Sequence, residues 1–287
     1  MRLIIGLVLI AVLGSAAPAA AEPKLIWEAK GLAQPESVAY DPATNVLFVS
    51  NINGAVMQKD GNGFISRLKP DGTILEREWV RGLNAPTGLA LRDRTLYVAD
   101  VDELLEINAA SGHINKRHKA KGAIFLNDVA IAEDGTVYAS DTPMNTIWRL
   151  KDGTFEPWLT SDALNGPNGL MVQGDKLVVA SFGRMPSQGQ KQELAGLLTV
   201  SLEDQTIAPL GSGEAIGNLD GLTSLDDKVY LVTDWAAGAL FSVDAKGNAN
   251  RLIDLNQGSA DLGPMPDQKG VLIPMMLDNT LAAYRLE

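Results

Sequence analysis

Cysteine is absent from all 287 residues. That removes disulfides, thiolate nucleophiles and Cys-based zinc sites together. Stability has to come from burial, which a chain of this length can supply. Histidine is nearly absent too, occurring only at His113 and His118. Positive charge is in deficit: 24 Lys and Arg against 35 Asp and Glu leave a net charge of −11, an acidic surface that repels nucleic acid and anionic membranes. The one basic cluster, Lys116-Arg117-His118-Lys119 with Lys121, is short and has no interleaved aromatics. It reads as a solvated strand edge. Phosphate loops are missing as well, because GNG at 61–63 and GSGEAIG at 211–217 do not lie between a strand and an amphipathic helix. KDGNGF at 59–64 lacks the acidic spacing of an EF-hand and reads as a hairpin turn.

Long apolar runs are also scarce. The stretch from Leu3 to Leu13 is shorter than the ~20 residues of a membrane-spanning helix. With Arg2 before it and Ala19-Ala20-Ala21 after it, residues 1–21 read as a secretory leader cleaved before Glu22. The expectation is a periplasmic or secreted protein over 22–287, free of the membrane after cleavage. No Cys follows, so a lipid anchor on cysteine is excluded.

What the chain has in quantity is repetition. A short apolar strand (SVAYD, GLALR) is followed by a turn and then a strongly β-forming strand (LFVSN, LYVAD, VYASD, LVVAS, VYLVTD, VLIPMM). A third strand follows (ISRLKP, LLEINA, IWRLKD, LLTVSL, LFSVDA, LAAYRL). Most units add a fourth, more polar strand such as TILEREWV, TFEPWL or ANRLIDL. Runs of this length between Gly, Asn and Asp turns argue all-β. Aligned on the residue preceding the first strand, the units form a column: Glu36, Thr87, Asn127, Asn168, Asp220, Asp261. Six four-stranded antiparallel units of about 40–50 residues fit a six-bladed β-propeller in one domain. The last unit supplies only three strands, and KLIWEAKG at 24–31 has strand character with no unit of its own. It is expected to close the last blade from the outside.

Within a blade consecutive strands are antiparallel, so the column and the ends of the second strands (Asn51, Asp100, Asp141, Ser181, Asp234) share one mouth of the central channel. The longest connections after a second strand, NINGAVMQKDGNG and SFGRMPSQGQKQELAG, belong to the first and fourth units. They would face each other across that mouth, either as a substrate entrance or as ordinary loop variation. Trp235, beside Asp234, offers a stacking surface there or ordinary blade packing, and packing is the reading taken. The column brings together Glu36, Asn127, Asn168 and Asp220, with Thr87 and Asp261 nearby. An all-oxygen set without imidazole or thiolate suits a hard cation, and Ca²⁺ above strictly octahedral Mg²⁺. The alternative is that Asn, Asp and Gly merely make turns before strands, which accounts for NG and DG but poorly for Glu36. A bound cation that only ties the blades together is a further alternative. Both histidines fall on the outer rim, in SGHINKRH. Neither a Ser-His-Asp triad nor a quinone-dependent dehydrogenase has its histidine at the channel.

The ordered series PES, FLND, GPNGL and NLDGL, each opening a blade, resembles the senescence marker protein/gluconolactonase/luciferin-regenerating-enzyme family over essentially the whole chain after the leader. Paraoxonases are more distant cousins. The resemblance implies one divalent cation in the channel mouth, usually calcium, held by Glu36, Asn168 and Asp220, with Asn127 a ligand directly or through water. It also casts Asp220 as general base. Family members acting on aldonolactones carry an arginine two residues before the Asn of the ND motif, where this chain has Phe125. The paraoxonase-type histidine base has no counterpart. The expected function is calcium-dependent hydrolysis of a lactone or related ester by a monomer acting on a small molecule. The rival is a non-catalytic periplasmic propeller that binds a ligand or serves as a scaffold.

Overall fold

In the computed structural model, which describes residues 23–184, 191–226 and 228–286, the β-forming runs pair into six four-stranded antiparallel sheets. The inner strands are Pro35–Asp41, Pro86–Arg92, Leu126–Ile131, Pro167–Gln173, Leu219–Asp226 and Gly263–Pro264. They surround one channel, and each sheet is a blade numbered from the first of these. Lys24–Lys30 is the outermost strand of blade six. It pairs antiparallel with Thr280–Arg285, Lys24 opposite Arg285 and Lys30 opposite Thr280, so both ends of the described chain lock the ring as expected. The leader expected at 1–21 lies outside the described residues, as does 185–190 of the blade-four connection. A short 3₁₀ turn at Asp162–Leu164, capped by the Ser161 hydroxyl oxygen, is the one helical element among the described residues.

The second strands are buried over most of their length, and Val46–Asn51 throughout, because neighbouring blades cover both faces. Successive side chains of a strand point to opposite faces. Leu47 and Val49 therefore pack toward blade six, with Leu272 and Leu281, while Val46 and Phe48 pack toward blade two, with Leu89 and Leu105. The same division holds round the ring, so each of the six blade interfaces is its own apolar cluster. Continuous apolar runs, rather than alternation, are the sequence consequence of burial on both faces. A seventh cluster of Ile52, Ala85, Val101, Ala260 and Met276, with Val56 and Trp235 against it, lies at the mouth.

The basic cluster is the outer strand Ile114–Lys119 of blade two. There Arg117 pairs with Glu103 at 3.0 Å and Lys119 with Asp102 at 2.8 Å. His118 is buried against Glu106 at 2.6 Å and the Phe155 ring, far out along the blade from the channel.

Candidate metal and active site at the channel mouth

In the first five blades the column residues do not precede the strand as expected; Asp261 alone stands ahead of its strand, Gly263–Pro264. The other five are each the second residue of the inner strand, and at that point the register slips. Ladder pairing jumps from Pro35 to Val38, Pro86 to Leu89, Leu126 to Val129, Pro167 to Leu170 and Leu219 to Leu222. Two residues per blade are thereby lifted out of the ladder, and a bulge of this kind re-aims side chains. The first carries the column side chain. The second is Gly88, Gly169 or Gly221 in three blades. A Cβ there would lie 2.5 Å from Asp128 Cα, 2.2 Å from the Asp220 carbonyl oxygen or 2.4 Å from the Leu262 nitrogen respectively. These glycines permit close blade-to-blade approach at the axis. None of the three has a positive φ, so the turn-chemistry alternative fails for TG, NG and DG.

Hydroxyls hold the bulges. The Ser37 amide donates to Ser50 Oγ at 2.9 Å and that of Asp128 to Ser140 Oγ at 2.9 Å. The Gly221 amide donates to Thr233 Oγ1 at 2.8 Å. Two of these hydroxyls also donate to the next blade, Ser140 to the Asn168 carbonyl and Thr233 to the Ala260 carbonyl, each at 2.8 Å. The column is fixed from both sides before any ligand arrives.

All six column residues are buried, yet they differ in how their side chains are used. Thr87 donates to the Leu126 carbonyl at 3.1 Å. Asp261 accepts from Ser37 Oγ at 2.5 Å and from the amides of Leu222 and Leu262. The other four each keep one buried oxygen without a hydrogen-bond partner: Glu36 Oε2, Asn127 Oδ1, Asn168 Oδ1 and Asp220 Oδ1. Their amide ends show why the oxygens face inward. Asn127 Nδ2 donates to Thr142 Oγ1 at 3.1 Å, and the Asn168 side chain hydrogen-bonds the Asp220 carboxylate. An unpaired buried acceptor costs roughly 1–3 kcal/mol, so four together call for a positive partner. Among the described residues no three His, Cys, Asp or Glu side chains converge as a metal cluster. Half of the four donors here are amide oxygens, from Asn127 and Asn168.

Burial pushes the carboxyls of Glu36 and Asp220 well above their usual range. Asp220 and Asp261 add repulsion at Glu36, and Asp261 adds it at Asp220. Burial also lifts Asp261 to about 7. Asp128, which sequence reasoning passed over, is the fourth acid at the axis. It is raised first by burial and then by Asp261, and it accepts from the amides of Val129 and Leu170, each at 2.6 Å. Its signal in the sequence was an acid at the bulge position where three other blades carry glycine. It lines the far end of the channel with Asp261 and a ring that includes Val38, Leu89 and Leu170.

Asn51, Asp100, Asp141, Ser181 and Asp234 are buried at the mouth as expected, but they are committed to backbone. Asn51 Oδ1 accepts from the Ala33 amide at 2.9 Å, and Asp100 Oδ1 from that of Ala85 at 2.8 Å. Asp141 accepts from the amides of Ile124 and Phe125, and Asp234 from those of Ala236 and Ala237. Ser181 donates to the Leu164 carbonyl. They cap chain segments at the mouth and offer little to a ligand.

Above the four oxygens opens a cavity of about 300 Å³. Val56 and Phe182, from the two long connections, both line it, so both loops contribute to the wall of the mouth. Phe125 lines it too, and so does Trp235. The packing reading of Trp235 is therefore incomplete: one side rests on the mouth cluster, its ring lies 6.5 Å from that of Phe182, and the rest is cavity wall.

No protein-family model matches the sequence, and no curated protein matches it significantly. Solved structures do match. A gluconolactonase of Xanthomonas campestris superposes with a TM-score of 0.66 at 16% identity, covering 96% of this chain and 99% of that one. A catalytically inactive histidine-to-alanine variant of virginiamycin B lyase from Staphylococcus aureus, solved with quinupristin, gives 0.61 at 14%, covering 93% and 100%. A streptogramin B lyase gives 0.63 at 11%, covering 93% and 98%. At these identities the likeness is one of fold.

Proposed function

We propose that this chain is a cation-dependent hydrolase of a lactone or related ester, working at the channel mouth. The observation that carries the reading is the set of four unpaired buried oxygens on Glu36, Asn127, Asn168 and Asp220. They would hold one divalent cation, and Ca²⁺ suits a mixed carboxylate and amide set. Such a cation, when bound, supplies Lewis-acid polarisation of a carbonyl oxygen.

The chain's own residues do the rest. Asp220 is the general base, taking the proton of the attacking water. The Asn168 amide fixes the Asp220 carboxylate, and Thr142 fixes Asn127. The apolar walls limit competing water. The likeness to a gluconolactonase in fold supports this reading. The lyase neighbours favour it less, because the variant crystallised with quinupristin lost activity with a histidine, and neither His113 nor His118 lines this cavity. The leader-like residues 1–21 support action outside the cytoplasm.

Calorimetric titration of chelator-stripped protein with calcium tests the site. One-to-one binding in the wild type, lost in Asn168→Ala and Asp220→Ala, is expected, followed by turnover in a panel of lactones and esters. Absence of binding would overturn the reading. Phe125, standing where aldonolactone-acting relatives would carry arginine, favours the non-catalytic rival. That rival predicts that cation binds and some ligand raises Tm while no ester is turned over.

A further inference from the structure

Hydrolysis as proposed uses the floor of the cavity and leaves its walls unexplained. Those walls are Ile52, Val56, Phe125, Phe182, Trp235 and Met276. Apart from the Trp235 indole N–H, the one polar wall group is the Thr142 hydroxyl, which is already engaged: it donates to the Pro167 carbonyl at 2.8 Å and accepts from Asn127 Nδ2 at 3.1 Å. No Lys, Arg or His is among the described residues that line the space.

The apolar character continues outward. Eight large apolar side chains stand out as exposed among the described residues. Leu25, Ile26 and Leu75 belong to outermost strands. The other five, Met57, Ile124, Met144, Leu194 and Leu277, all sit on connections at the mouth end of the channel. Chance scatter would have spread them over both ends. Instead four of them, Met57, Ile124, Met144 and Leu277, stand within two residues of a cavity-lining residue, and with Leu194 they form an apolar collar at that end.

We infer that the substrate is an uncharged lactone or ester bearing an alkyl or aryl substituent, its carbonyl on the oxygen floor and its hydrocarbon along Phe125, Phe182 and Trp235. The inference rests on the hydrolase reading and names its substrate class. A polyhydroxylated ring would turn most of its hydroxyls toward hydrocarbon, with the Trp235 indole N–H as the one uncommitted side-chain donor in the walls, and a buried polar group without a partner is strongly disfavoured. An anionic substrate would find no cationic wall residue and two carboxylates, Glu36 and Asp220, in the floor. A cavity of about 300 Å³, at the small end of ligand pockets, takes a small ring with a short substituent. A longer chain would run out over the collar.

The test is kcat/KM across a γ-lactone series from γ-butyrolactone to γ-decalactone, with glucono-δ-lactone alongside, in calcium. Calorimetric affinities of cyclic ketones with the same alkyl chains accompany it. Each added methylene should raise kcat/KM about fourfold until the walls are filled. Glucono-δ-lactone should fall at the bottom of the set, and Phe125→Arg and Trp235→Ala should flatten the slope. Turnover that is indifferent to chain length, or that favours glucono-δ-lactone, overturns the inference and leaves hydrolysis standing. No turnover at all, with ketone affinity still climbing with chain length, overturns the hydrolase reading and upholds the apolar ligand. Ketone affinity flat with chain length in a protein that hydrolyses nothing overturns both.

Discussion

Two rings of polar side chains stand at the same end of this channel, built from the same few residue types, and they end in opposite states. At the ends of the second strands, Asn51, Asp100, Asp141 and Asp234 spend their oxygens on backbone amides. One strand further in, Glu36, Asn127, Asn168 and Asp220 each leave an oxygen with nothing to accept from. The bulge makes the difference. A side chain at the end of a regular strand lies beside the chain entering its own blade and finds amides there. A side chain lifted into the axis faces the corresponding side chains of other blades, where carboxylate and amide oxygens outnumber the available donors. A polar ring that satisfies itself is architecture, whereas one that leaves acceptors unpaired is where the proposed cation would sit.

The largest expected effects separate the two rings. Asp220→Asn keeps the shape of the inner ring while removing a charge and the base. It should lower kcat/KM by about 10²–10⁴-fold and weaken calcium binding, with the fold intact by circular dichroism. Asp100→Ala should do the reverse. It strands the amides of Asn84 and Ala85, so urea unfolding should show a loss of about 2–3 kcal/mol. One-to-one calcium binding should survive. Were Asp100→Ala to abolish binding without loss of stability, the division between the rings would collapse.

The inner ring also predicts a pH dependence that the outer one does not dominate. Glu36, Asp128, Asp220 and Asp261 have folded-state values raised by burial, Asp261 to about 7, against about 4 in an unfolded chain. The folded, cation-free protein therefore holds more protons than the unfolded chain between those values. The stability that these four groups contribute is fully present below about pH 4 and is lost as pH rises toward 7. Tm of the chelated protein should drop by roughly 5 °C between pH 5 and pH 8. Calcium should restore it, most at pH 8, with proton release on binding visible as a buffer-dependent heat. Exposed acids with lowered values, such as Asp134 at about 2, act below this window. A chelated protein whose Tm rises over the same range would mean the axis carboxyls are not held protonated.

The blade number, the closing strand Lys24–Lys30 and the column were legible because each repeats in register with the strands around it, and repetition survives the absence of any single strong motif. The state of the column oxygens was not legible. Thr87 and Asp261 occupy the same position as Glu36 and Asp220, and only the neighbouring blade decides that Leu126 and Ser37 engage the first two. Glycine kept the turn alternative open for a similar reason. NG and DG have the composition of turns, yet Gly169 and Gly221 sit in strand bulges because the next blade's backbone leaves no room for a Cβ. Phe125 was visible as a departure from a motif. Ile52, Val56, Phe182 and Met276 were not, since they come from connections in three different blades that share no sequence pattern.

The smallest expected effect probes what orients the inner ring rather than what composes it. Thr142 Oγ1 accepts from Asn127 Nδ2 and donates to the Pro167 carbonyl, so one hydroxyl both turns the Asn127 oxygen inward and joins blade three to blade four. Thr142→Val keeps the shape and removes both bonds. Freed of its acceptor, the Asn127 amide can rotate, and a ligand that must be oriented on binding binds more weakly. Calcium affinity should fall about tenfold, as for other supporting contacts around metal sites, with one-to-one stoichiometry kept and stability down by about 1 kcal/mol. A loss of stability with unchanged affinity would place Thr142 with the outer ring, as architecture, and would mean that the bulge alone holds Asn127 in place.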